Sequence, residues 1–274
     1  MENCHNTWLL SNCVSSRANQ LSDQTEQPES NTKENSDKQQ KILKEMSRDI
    51  IPAAIKHTAS LIFLHGLGDV GPSWLQAFKM YRIPEKTPHV KYIFPTAAIR
   101  KVTLNFGMEM TSWFDVKGLS RNAVEDTEGI ETSTKLCTSK ILELVNKEIE
   151  SGIPPERIIV GGFSMGGAVA LHTALAAPWL LGGCIALSSW LPLANTFPDA
   201  IKAADQKINL PILQCHGKQD PLVQIEWAKL TSQALESFGF KNYQFHEYNM
   251  EHSSCDKEIN DVSEFILRVL SDNK

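Results

Sequence analysis

The residues Gly161-Gly162-Phe163-Ser164-Met165-Gly166-Gly167 put a serine in a setting suited to nucleophilic attack. A β-branched run, Arg157-Ile158-Ile159-Val160, precedes it, and an alanine-rich run from Ala168 to Ala177 follows. Strand, G-x-S-x-G and helix together describe a nucleophile elbow, a sharp turn that lifts the serine hydroxyl clear of the backbone. Gly162 and Gly166 fall where side chains would collide with the neighbouring strand or helix. The chemistry such a serine can do is acyl transfer through attack on a carbonyl carbon.

A serine hydroxyl needs a base, and the base needs an acid to orient it. In a strand–elbow–helix architecture these follow in the order Ser, Asp or Glu, His. Besides the helical His172, the chain after Ser164 offers His216, His246 and His252. His252 is the best placed, on the loop between the strand-like run Tyr243 to Tyr248 and a C-terminal amphipathic stretch. His246 lies inside that strand pattern. His216 ends an earlier strand, where a packed or backbone-bonded imidazole is the usual outcome, and it is the nearest rival. For the acid, Asp220 sits just past the buried-strand run Pro211 to Cys215, with Pro221 favouring an extended backbone. Glu251 is the alternative, but neighbours on an extended chain point to opposite sides.

Attack on a carbonyl also requires donors for the oxyanion. The elbow provides the backbone N–H of Met165, and the loop after an earlier strand provides the second. Ser60 to Leu64 reads as that strand and His65-Gly66-Leu67-Gly68-Asp69-Val70-Gly71 as that loop, with Leu67 as the donor. His65 precedes Ser164 and is expected to brace the loop. No Lys-Ser/Thr ending follows the glycines, so no phosphate is expected there.

The elements that must position these residues alternate along the chain. Strand-like runs near Leu61, Tyr92, Ile159, Ile185, Leu213 and Phe245 are interleaved with helical stretches, clearest over Glu125–Glu150, Ala168–Ala177, Ile225–Phe238 and Lys257–Leu270. Such alternation predicts an α/β fold, a mostly parallel twisted sheet with helices on both faces. The stretch from Asn105 to Gly118 reads as an apolar loop. Its Trp113 and Phe114, with Trp190 and Leu191, are candidates to line a channel for an acyl chain, or else simply pack on the core.

Five ordered blocks resemble the cytosolic acyl-protein thioesterases, also called lysophospholipase-like carboxylesterases. They are Leu64–Asp69, Ser112–Asp115, Gly161–Ser164, Gln214–Gly217 through Asp220–Val223, and His252–Cys255. The resemblance runs from about Ile51 to the end. It implies an α/β-hydrolase fold without a large cap domain, a hydrophobic channel for one acyl chain, and removal of palmitate from cysteine thioesters. The family's catalytic trio falls on Ser164, Asp220 and His252. Two positions depart from the best-known members: Met165 replaces a glutamine, and the chain begins Met1-Glu2-Asn3-Cys4 where they begin Met-Cys.

The chain has 274 residues, 42% of them hydrophobic, enough for one full α/β core. Residues 1–50 form a polar N-terminal tail, too poor in apolar residues to fold alone, with a short helical turn expected over Lys41–Ser47. Residues 51–274 form the hydrolase domain. A net charge of −5 gives no reason to expect nucleic acid as a partner. The six cysteines show no C-x-x-C spacing, so neither metal nor other cofactor is expected, and free thiols fit a reducing, cytoplasmic setting. No apolar stretch is long enough to span a membrane. The expected partners are S-acylated proteins or small acyl esters as substrates, met in transient contact with a membrane surface. Cys4 and Cys13, flanking Trp8-Leu9-Leu10, are incidental thiols or, alternatively, acceptors of an acyl chain.

Overall fold

The computed structural model describes residues 49–116, 127–197 and 205–271. Most of the N-terminal tail, including the turn expected over Lys41–Ser47 and the thiols Cys4 and Cys13, lies outside these residues. So does the start of the helix expected from Glu125.

Seven strands form one sheet: β1 (Ile50–Ile51), β2 (Ala59–Leu64), β3 (Val90–Ile93), β6 (Ile158–Phe163), β7 (Gly183–Leu187), β8 (Ile212–Gly217) and β9 (Tyr243–Tyr248). Their order is β1-β3-β2-β6-β7-β8-β9, and only β1 runs antiparallel to its neighbour. Among the described residues, six helices accompany them: α1 (Gly71–Met80), α2 (Ile83–Lys86), α3 (Thr127–Glu150), α4 (Met165–Ala176), α5 (Ile225–Ser237) and α6 (Asp256–Val269).

The central strands are continuous apolar runs because both faces of the sheet are covered. In β2, Leu61 and Phe63 pack with Trp74, Phe78, Val262 and Phe265 of α1 and α6, whereas Ile62 and Leu64 pack with Ile141, Val169 and Leu235 of α3, α4 and α5. Helix α6 presents Ile259, Val262, Phe265, Ile266 and Val269 to the sheet, the three-to-four spacing of an amphipathic helix. The α/β class, the two-sided cover and the parallel sheet agree with the sequence.

One expectation is corrected. The stretch read as a loop from Asn105 contains a strand, β5 (Met108–Thr111), which pairs antiparallel with β4 (Ile99–Val102). This hairpin stands apart from the main sheet, so Ile99, Phe106 and Met108 face outward, exposed by 70%, 97% and 51%.

The strand order itself locates a crevice. From β2 the chain winds to β3 on one side, then crosses to β6 on the other side of β2. At such a switch point the loops leaving the carboxyl ends of β2 and β6 diverge and leave a cleft between them.

Candidate active site

Both diverging loops carry the residues singled out by chemistry. Ser164 follows β6 directly and caps α4 with φ 52° and ψ −122°, a left-handed backbone that costs a serine on the order of 1–3 kcal/mol. The neighbours enforce it. A Cβ on Gly162 would stand 2.4 Å from the Gly166 carbonyl carbon, and one on Gly166 would stand 2.3 Å from the Leu64 oxygen. Helix α4 can therefore start against the ends of β2 and β6 only with glycine at both positions. Ser164 N–H bonds Leu187 O at 2.8 Å, and Ser164 O accepts from Ala168 N–H at 3.1 Å, pinning the turn at both ends.

The hydroxyl of Ser164 donates to His252 Nε2 at 2.9 Å, and His252 Nδ1–H donates to Asp220 Oδ2 at 2.6 Å. Asp220 Oδ1 accepts the backbone N–H groups of Leu222 and Val223 at 2.9 and 2.8 Å. The acid on His252 is thus Asp220, while Glu251 points to solvent. Phe163 packs its ring against that of His252, centroids 4.8 Å apart, and gives the imidazole an apolar wall. The relay is largely screened from water, which strengthens its hydrogen bonds.

The other histidines go elsewhere. His216 is fully buried and donates from Nε2 to Val223 O at 2.7 Å, while burial holds its pKa below the usual imidazole value. His246 faces Asp261, and His172 bonds Thr138 at 2.9 Å with its pKa lowered to about 4 by burial. His65 Nε2 accepts the Ala97 N–H at 2.9 Å, so Nδ1 carries the proton and bonds Gly66 O at 2.6 Å. With the Trp113 indole donating to His65 O at 2.8 Å, that imidazole braces the loop after β2.

This loop lies against the nucleophile: a Cβ on Gly66 would stand 3.5 Å from Ser164 Cβ. Its glycines Gly66, Gly68 and Gly71 also fall at the G-x-G-x-x-G spacing of dinucleotide-binding turns, a motif the sequence reasoning missed. The structure uses those amides differently. Gly68 N–H bonds Thr111 O, Asp69 N–H bonds Gly66 O, and Gly71 N–H bonds Thr96 Oγ1. Among the described residues, the N–H groups of Leu67 and Met165 bond no protein acceptor. Two unspent amides beside the serine, one at the positive end of α4, suit a developing oxyanion rather than a phosphate.

The chain is matched by the model of the Phospholipase/Carboxylesterase family over residues 45–270. It belongs to that family. Among its relatives, acyl-protein thioesterase 1 of Gibberella zeae is 41% identical over 232 residues, 81% of this chain and 94% of the relative. The acyl-protein thioesterase 1 of Neurospora crassa is 38% identical over 229 residues, covering 81% and 91%. Among solved structures, Zea mays acyl-protein thioesterase 2 superposes with a TM-score of 0.69 at 33% identity, covering 81% of this chain and 98% of that one.

In this member of the Phospholipase/Carboxylesterase family, the candidates for an acyl channel gather in one apolar cluster. Trp113, Phe114 and Leu191 are packed inside it with Met165, and Leu67 and Trp190 lie partly exposed at its margin. The Met165 thioether is buried and faces the Ser112 hydroxyl at 3.4 Å. Among the described residues, no cluster of three or more His, Cys, Asp or Glu could hold a metal ion.

Proposed function

We propose that this chain is an acyl-protein thioesterase, a serine hydrolase that removes fatty acyl groups from cysteine side chains. The observation that carries it is the unbroken relay from Ser164 through His252 to Asp220, with a strained backbone at the serine. The named relatives support the choice of acyl proteins as substrates.

Ser164 Oγ attacks the thioester carbonyl while His252 Nε2 takes its proton, and Asp220 stabilises the resulting imidazolium. The tetrahedral oxyanion is received by the N–H groups of Leu67 and Met165. Collapse breaks the C–S bond, His252 returns the proton to the departing sulfur, and the acyl group remains on Ser164. Water, deprotonated by His252, then releases the fatty acid and restores the serine.

The acyl tail runs along the Leu67 and Trp190 margin of the apolar cluster, over Trp113, Phe114 and Leu191. Access to a lipid-anchored substrate comes through brief contact of the β4–β5 hairpin with a membrane surface, since Ile99, Phe106 and Met108 offer apolar area next to the site loop. A reducing, cytoplasmic setting belongs to the same proposal and fits Cys137, Cys184 and Cys215, which are buried and in no disulfide.

Matched palmitoyl-thioester and lysophospholipid substrates test it. Faster turnover of the thioester, abolished together with fluorophosphonate labelling in Ser164→Ala, is expected. Preference for the lysophospholipid would make the enzyme a phospholipase instead.

A further inference from the structure

Asp220 is held by more than its partner in the relay. His216, the penultimate residue of β8, is completely buried, and the sheet fixes where its ring lies. Its Nε2 stands 2.7 Å from Val223 O and 3.5 Å from Asp220 Oδ2, the same oxygen that receives His252. Val223 in turn donates its N–H to Asp220 Oδ1 at 2.8 Å. His216, Val223 and Asp220 therefore close a ring around the turn that presents the carboxylate.

We propose that His216 is a positioning residue for the Ser164–His252–Asp220 relay, anchoring through the Val223 carbonyl the turn whose amides orient the Asp220 carboxylate. The proposal rests on the serine-hydrolase reading above. Only the Nε2–H tautomer serves, because Val223 O requires a donor. Among the described residues the Nδ1 atom has no partner, so a second proton there would be buried unpaired. Burial accordingly keeps the ring neutral, although Asp220 and Glu226 favour the cation and His252 opposes it. Without the Nε2 donor, the buried Val223 carbonyl loses its partner, the turn relaxes, and the carboxylate gains rotational freedom. The base would then be poorly oriented in the transition state while substrate binding is untouched.

The test compares folded enzymes on a thioester substrate. His216→Phe keeps a ring but removes the donor, and kcat should fall roughly 10- to 100-fold with KM unchanged. The downfield proton resonance of His252 Nδ1–H, produced by its short bond to Asp220, should weaken or move in the same variant. His216→Gln, whose amide nitrogen reaches close to the Nε2 position, should restore kcat to within a few-fold of wild type. Unchanged kcat and an unchanged resonance in His216→Phe overturn the proposal. Should that variant not fold, His216→Asn replaces it: its amide is one methylene short of Val223, and kcat equal to that of His216→Gln overturns the proposal. Ser164→Ala, assayed in parallel, separates the two ideas. Turnover surviving in Ser164→Ala would sink the relay itself, whereas an inactive Ser164→Ala beside a fully active His216→Phe sinks only the role of His216.

Discussion

Gln219 donates its backbone N–H to the carbonyl oxygen of Met250 at 3.1 Å, tying the loop that carries Asp220 to the loop that carries His252. Lys218 does the same to Tyr248 at 2.8 Å, so pairing of β8 with β9 continues past the end of the sheet. The 2.6 Å bond between Asp220 and His252 is thus set by backbone, not by two mobile side chains finding each other.

Gly217 is where that tie is tightest. A Cβ there would stand 2.4 Å from the carbonyl oxygens of both Met250 and Glu251, so Gly217→Ala must push the two loops apart. Overpacking of this kind costs about 1–3 kcal/mol. We expect a lower melting temperature and a kcat loss larger than the change in KM. A variant with wild-type melting and turnover would show that the loops yield without consequence.

Ser164→Ala and His252→Ala should each abolish most turnover, and the double variant should be no worse than either alone, because the relay acts as a unit. Additive losses, read from kcat/KM of the three variants, would mean that the two residues act separately.

Asp220→Asn should cost roughly 10⁴-fold in kcat, as when the acid that fixes the base's tautomer is neutralised. Glu251→Gln should remain near wild type, since that side chain is exposed and makes no bond to His252. The reverse ranking would reassign the acid.

Glu258, buried completely in the first turn of α6 beside Ser254 and Asp261, has its pKa pushed up by burial from 4.5 to about 8. The unfolded chain loses this proton near 4.5 while the folded chain keeps it to about 8, so the unfolded state binds fewer protons between those values. Stability from this group is therefore complete below the lower value and lost as pH rises through the window. Glu258→Gln cannot ionise, and its melting temperature should gain on wild type steadily across that range. A constant difference across the range would show that the carboxyl is already ionised in the fold.

The parallel core was legible because β2, β6, β7 and β8 are buried on both faces and leave unbroken apolar runs. The elbow was legible because Gly162 and Gly166 admit no substitute at that crossing. Strands β1 and β4–β5 were not. Two residues are too few for any periodicity, and Ile99-Arg100-Lys101-Val102 buries only Val102, so burial imposes no alternation on it. The link between His216 and Asp220 escaped for another reason. The strand-end position of His216 implies a packed or backbone-bonded ring, but the bond runs to Val223 across a turn whose path no local pattern specifies.

The two-residue strand β1 has a consequence beyond the site. It pairs with Tyr92 and Ile93 of β3, the half of that strand that would otherwise end the sheet as an open, β-prone edge able to recruit the same edge of another copy. Ile50 and Ile51 offer little length for such recruitment and run against the direction of the other strands. Among the described residues, protection against aggregation therefore begins at the first paired ones, ahead in the chain of every residue of the relay.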